Sequence, residues 1–162
     1  MTEITFRPLQ SDDAACLRLM LYHAIHVPPR EAPPPLTIVD QLDIARYIAD
    51  FGQRTGDSGV LALADGVCIG AAWVRLMEGY GFIAADVPEL SIALVPEYRG
   101  QGIGAQLLDR VLAALRPEFT HVSLSVSLDN PAKRLYERIG FQVWAINAGT
   151  ATMRLELQPA AE

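Results

Sequence analysis

Between an apolar run ending at Val95 and a helical pattern starting near Ile103, the sequence reads "VPEYRGQGIGAQLL", with glycines at positions 100, 102 and 104. A turn from strand to helix needs positive φ at one or two residues, which Gly100 and Gly102 can supply. Gly104 falls inside the helix, where glycine costs about 1 kcal/mol relative to alanine. The first turn of a helix leaves N–H groups without intrahelical partners and carries about half a positive charge. Bare amides on such a loop cradle phosphate oxygens, so the stretch points to a phosphate or pyrophosphate ligand whose approach excludes each Cβ. No Gly-Lys-Ser/Thr closes it, so it is not a Walker loop. Its spacing is G-x-G-x-G, mid-chain and after a hairpin, which counts against a nicotinamide or flavin dinucleotide.

The flanking patterns supply the elements. "ITFRPLQ" reads as a strand, followed by a helix from about Asp12 to Ile25 with Leu17, Met20, Leu21 and Ala24 on one side. "VPPREAPPPL" is too rich in proline for helix or central strand. Thr37 and Asp40 form a capping signature for a second helix bearing Leu42, Ala45 and Ile48. Asp65-Gly66 between two apolar runs predicts a type I′ hairpin. "PELSIALV" is a strand. Ile103, Leu107, Leu108, Val111, Leu112 and Leu115 paint one stripe on the helix after the glycines. "HVSLSVSL" alternates as a strand does, and "DNPAKRLYERIGF" is a helix capped by Asn130, opened by Pro131 and stopped by Gly140. Strands "FQVWAI" and "TATMRLEL" close the chain. The order β-α-α-β-β-β-α-β-α-β-β predicts an α/β (α+β) fold: one mixed, mostly antiparallel sheet of about seven strands with helices on both faces.

At 162 residues, 51% hydrophobic and 20% charged, the chain reads as one domain over 1–158 with a short tail at 159–162. A net charge of −6 argues against nucleic acid, which needs a basic stripe, but does not exclude small anions bound by local amides. Cys16 and Cys68 lack paired spacing and read as small buried hydrophobes, with no zinc site or disulfide framework. No leader pattern or membrane-length apolar run is visible, and a reducing cytoplasm is the expected setting.

Arg99-Gly100-Gln101-Gly102-Ile103-Gly104 resembles the R/Q-x-x-G-x-G/A signature of the GNAT N-acetyltransferase superfamily, placed after a strand as in that family. "NPAKRLYERIGF" resembles its second hallmark, and "RPLQSDDAACL" its usual opening. The resemblance spans nearly the whole chain. It implies acetyl-CoA as cofactor, with the pyrophosphate on residues 99–104 and the pantetheine arm on the backbone at Leu94 and Val95. It also implies that Asn130 contacts the arm and that Arg99, Lys133 and Arg134 meet phosphate oxygens. The acceptor is a small-molecule amine or a protein amino group, and a homodimer stays open.

Acetyl transfer to an alkyl amine must remove a proton at a cost of about 4 kcal/mol at neutral pH. By resemblance, Tyr136 stands near the cofactor sulfur as its proton donor, and Glu89 stands where related enzymes carry a base. The competing readings are a packed helix tyrosine and a solvated strand-edge glutamate. For the acceptor side, "HVPPREAPPPL" and "EGYGFIAADVP" offer Glu31, Tyr80 and Asp86. His23 and His26 lack a third metal ligand and read as cations favoured by the end of the first helix. The rival classes are a non-catalytic acyl-CoA-binding sensor and a nucleotide-binding oxidoreductase.

Overall fold

The computed structural model describes residues 1–158, and the expected tail at 159–162 lies outside them. β1 (Ile4–Pro8), β2 (Ser58–Ala64), β3 (Val67–Arg75), β4 (Glu89–Leu94), β5 (His121–Ser127), β6 (Gln142–Asn147) and β7 (Thr150–Glu156) form a seven-stranded sheet. Its order is β1-β2-β3-β4-β5-β7-β6, and only the β4–β5 pair is parallel. The element order is the one expected. Asp65 (φ 47°) and Gly66 (φ 82°) both take the positive φ of a I′ turn.

Alternation decides which side chains go where. Val122, Leu124 and Val126 of β5 are buried on the face covered by α3 (Ile103–Leu115) and α4 (Ala132–Ile139). The predicted stripe of α3 is buried throughout. α4 ends as its punctuation requires: Gly140 has φ 121°, and Phe141 donates its N–H to Tyr136 O at 3.0 Å. On the opposite face, α1 (Ala14–Ala24) and the segment after it cover β2 to β4 around Trp73. Among the described residues, no helix is long and apolar enough to cross a membrane.

Two expectations are corrected. Instead of a long second helix there is a 3-10 turn at Leu36–Asp40 and a single helical turn, α2 (Leu42–Ala45). Asp40 does not cap; both its carboxylate oxygens accept from Arg18 on α1, Oδ2 at 3.1 Å. The helix cannot continue because its carbonyls are taken: Arg75 Nη1 donates to Arg46 O at 2.9 Å and Trp73 Nε1 to Tyr47 O at 3.1 Å. The second correction concerns Cys16 and Cys68, which form a disulfide joining α1 to β3 across 52 positions, with Cα atoms 6.3 Å apart. Such a bond persists only in an oxidising setting.

Arg75 is fully buried, and its guanidinium meets Asp57 through Nε (3.0 Å) and Nη2 (2.9 Å). Burial alone would raise the Asp57 carboxyl; Arg75 and the N–H groups of Gly52 and Arg54 outweigh it and hold the carboxyl below its ordinary range. A depressed carboxyl stabilises the fold above its unfolded value near 3.9, and that contribution is lost as pH falls through the folded value. Asp57→Ala strands a buried guanidinium and should cost about 3–5 kcal/mol in urea unfolding at pH 7. The gap from the native protein should narrow on acidification below about pH 4.

Candidate active site

The site starts from a seam. β4 and β5 share a single bridge, Glu89 opposite Ser123. On its other side β4 pairs with β3 throughout, from Glu89 opposite Arg75 to Leu94 opposite Gly70. Val95 N–H continues that ladder, donating to Ile69 O at 2.9 Å. In an antiparallel ladder, amides alternate between the two neighbours. Ala93 therefore faces β3, while the N–H groups of Ile92 and Leu94 face β5, where no ladder receives them. Of the two positions expected to hold an extended arm, Leu94 has an amide on the seam and Val95 does not. Ile92 takes its place, and counting ladder phase back from Val95 identifies it.

At the upper end of this seam lies the glycine loop. Gly100 (φ 76°) and Gly102 (φ 85°) adopt the left-handed region, and nothing in the protein lies within 4 Å of a Cβ built on either. A Cβ on Gly104 would make only ordinary contacts at 3.7 Å with Leu94 and Leu135. The protein's own atoms leave room for a Cβ at all three positions, and backbone conformation accounts for the first two glycines. What distinguishes the loop is its donors. Ile103 begins α3 with no side-chain cap, and the first helical hydrogen bond runs from Gln106 N to Gly102 O at 3.3 Å. From Gly100 to Ala105, six consecutive N–H groups have no acceptor among the described residues. That is the donor set an anion of two phosphates requires.

Arg99 and Gln101 turn away from this loop. Arg99 Nε donates to Leu94 O at 3.1 Å and Nη2 to His23 O at 3.4 Å, tying α1 to the end of β4. Gln101 Nε2 donates to Glu97 O at 3.1 Å. Asn130 caps α4 by accepting from Ala132 N–H at 3.0 Å. Lys133 pairs with Glu137 at 3.4 Å, and Arg134 is exposed beside it on a rim shared with Asn130. Tyr136 is buried on α4, edge-on to Phe141, and burial pushes its hydroxyl up to about 12.

Glu89 is not the solvated strand-edge glutamate of the competing reading: it is 3% exposed. Its Oε2 accepts from the Tyr47 hydroxyl and its Oε1 from Gly81 N–H at 3.0 Å. The Tyr47 oxygen in turn accepts from Tyr80 N–H at 2.7 Å. Burial raises the Glu89 carboxyl above its ordinary range, opposed by Tyr47, Gly81 and Arg46. Tyr47 is raised as well, by burial and by the carboxylate it faces. Tyr80, proposed from sequence for the acceptor side, stacks on Tyr47, bonds Asp43 and lies under the Arg46 guanidinium. Glu31 and Asp86 are exposed and stand outside this network. Tyr47 carried no sequence pattern of its own. His23 is not favoured as a cation: burial and the charge of Arg99 hold it below its ordinary range. His26 Nε2 lies 3.1 Å from Asp129 Oδ1 without hydrogen-bond geometry. Among the described residues, no cluster of metal-ligating side chains occurs.

Residues 21–141, which include this seam and its loop, match a family model, the acetyltransferase (GNAT) family. The chain belongs to the GNAT acetyltransferase family. Solved structures share the fold at low identity. yncA of Salmonella typhimurium, solved with its cofactor acetyl-CoA, is 23% identical with TM-score 0.68 over 99% of this chain and 97% of that one. The paia N-acetyltransferase of Thermoplasma acidophilum, in complex with coenzyme A, is 20% identical with TM-score 0.67 over 95% and 99%. The ribosomal-protein-S18-alanine N-acetyltransferase of Escherichia coli is 20% identical with TM-score 0.67 over 99% and 97%. No curated protein matches the chain significantly by sequence.

The turn that carries Tyr80 and Gly81 packs tightly on the carboxylate. A Cβ on Gly79 would lie 2.5 Å from the Tyr47 hydroxyl and 2.6 Å from Glu89 Oε1. Gly79→Ala should therefore lower stability by about 1–3 kcal/mol, the usual cost of overpacking, as read by urea unfolding. Wild-type stability in that variant would mean that the turn does not close on Glu89.

Proposed function

We propose that this GNAT family member is an N-acetyltransferase that moves an acetyl group from acetyl-CoA to a primary amine. One observation carries the reading: six unpaired amides open at the end of a seam that presents further free N–H groups. Coenzyme A joins a diphosphate to an extended amide-bearing arm, and this chain's donors fit both parts. When bound, acetyl-CoA supplies an acetyl group activated as a thioester. The amides of 100–105 hold its diphosphate, with Arg99 and Gln101 bracing the loop from behind. Lys133 and Arg134 on the adjoining rim attract the remaining phosphate. Leu94 and Ile92 direct their N–H groups into the seam, and Asn130, its oxygen engaged by Ala132, keeps its NH2 for the arm. Val95 contributes apolar surface only.

Proton handling falls to two side chains in different surroundings. Tyr136 stays protonated at neutral pH and holds the proton due to the departing sulfur. Glu89 takes the proton that the amine gives up, its carboxyl raised toward the range where a base works. Because it is covered, the proton reaches it through a neighbouring hydroxyl; the Tyr47 hydroxyl, which donates to Glu89 Oε2, passes its own proton to the carboxylate and takes up the one the amine gives up. A cytoplasmic setting, as the sequence suggests, would reduce the Cys16–Cys68 disulfide.

Calorimetry with coenzyme A and release of free thiol across an amine panel test the reading. Gly102→Asp should weaken coenzyme A binding at least about tenfold, through added bulk and negative charge in the cradle. Unchanged affinity would remove the diphosphate from this loop. Binding without thiol release for any amine would favour a sensor over an enzyme.

Tyr136→Phe should slow turnover by about 10²-fold with little change in coenzyme A affinity, a general acid's usual share. Glu89→Gln should abolish the acid limb of the kcat/KM profile, which should lie above the ordinary glutamate value near 4.3. An unaltered profile in either variant would take that residue out of the proton transfers.

A further inference from the structure

We propose that the acceptor sits on the half of the sheet face that α1 and the segment after it leave uncovered, and that it is a primary amine bearing several hydroxyl groups. The inference rests on the acetyl-transfer reading and adds the acceptor class to it.

Register identifies the surface. On β5, positions 123, 125 and 127 turn away from the α3 core, and across from them on β7 stand Arg154, Thr152 and Thr150. Ser91 lies on the same face of β4, two positions from Glu89. Ser91, Ser123, Ser125, Ser127, Thr150 and Thr152 thus form a grid of hydroxyls. Neighbours along a strand are about 6.8 Å apart and neighbours across strands about 4.8 Å. Five are half-buried, and none of the six makes a side-chain hydrogen bond among the described residues.

Ser123 supplies the independent indication. It is fully buried, and its Oγ has no partner. The Gly79–Gly81 turn lies against β5 beside it, since a Cβ on Gly81 would sit 2.8 Å from the carbonyl carbon of Leu124 and 3.0 Å from Ser125 N. Buried hydroxyls in native proteins have partners, so this one marks the inner end of a polar seat beside the Glu89 carboxylate.

The composition of the grid selects the ligand. Glu89 is the one carboxylate in the row Arg75, Glu89, Ser123, Arg154, so its negative charge lies behind a place for one ammonium and not for the several of a polyamine. Arg75 is neutralised by Asp57, and Arg154 carries its guanidinium outward over Trp144, 4.6 Å from the ring centroid. A hydrocarbon amine would cover hydroxyls without pairing them, at a cost that grows with each. Hydroxyl groups on the ligand, each able to donate and accept, satisfy the grid. An amino sugar or amino alcohol has that chemistry.

The test compares glucosamine and 3-amino-1,2-propanediol with hexylamine, propylamine and a short peptide with a free amino terminus. Binding to the coenzyme A complex is read by calorimetry, and thiol release from acetyl-CoA is followed in parallel. The hydroxylated amines should bind at least tenfold more tightly and show the higher kcat/KM. Ser125→Ala combined with Thr152→Val should lower their affinity at least tenfold while coenzyme A affinity is kept. Preference for hexylamine or the peptide, or no effect of the paired substitutions, would overturn the proposal. Loss of coenzyme A binding in the unsubstituted protein would instead overturn the acetyl-transfer reading.

Discussion

The single bridge between β4 and β5 is the constraint from which the site follows. A strand paired on both sides has no amides to offer; β4 is paired fully with β3 and then parts from β5 beyond Glu89 and Ser123. Backbone donors left without partners are costly wherever water cannot reach them. A native chain keeps such a seam only where a ligand or solvent completes it. The glycine loop stands at the open end of the same seam, so the two donor sets are collinear by topology. The parallel direction of β4 and β5 places α3 between them in sequence, and hence the N-terminus of α3 at the mouth of the gap.

The opposite end of the seam is closed by a second constraint. Arg75 and Trp73 on β3 take the carbonyls of Arg46 and Tyr47, which stops the second helix and fixes Tyr47 over Glu89. Tyr47 then engages the carboxylate and the Tyr80 amide together, and Gly79 permits the approach. A buried ion pair, Arg75 with Asp57, thus stands behind a buried carboxylate. Its value is less in net stability, where buried pairs often break even, than in fixing one arrangement of the turn beside Ser123.

Local chemistry made much of this legible before any coordinates. The strand-to-helix turn at Gly100 and Gly102, the Asp65-Gly66 turn and the Asn130 to Gly140 punctuation are settled within a few residues, and each takes the backbone form its sequence implies. What failed depends on partners distant in sequence. Nothing near Thr37 shows that Arg18 claims Asp40, or that β3 side chains claim the carbonyls of 46 and 47. Cys16 and Cys68 have no spacing pattern because their proximity comes from α1 crossing the sheet. Val95 turns its amide to β3 while Leu94 turns its own to the seam, because in a strand one position reverses the direction of the amide. Tyr47 joins Glu89 from 42 positions away and was invisible for the same reason.

The net charge of −6 and the proposed anionic ligand are reconciled by the same geometry. An acidic surface repels a diphosphate at long range, but screening confines that repulsion to about 8 Å at physiological salt. At the loop, the ligand meets fixed backbone dipoles that need no counter-charge and lose no side-chain entropy on binding. Of the few cations nearby, Arg99 is committed to two carbonyls and Lys133 in part to Glu137. Cofactor affinity in this chain should therefore respond to backbone disturbance of the loop more than to removal of any one lysine or arginine.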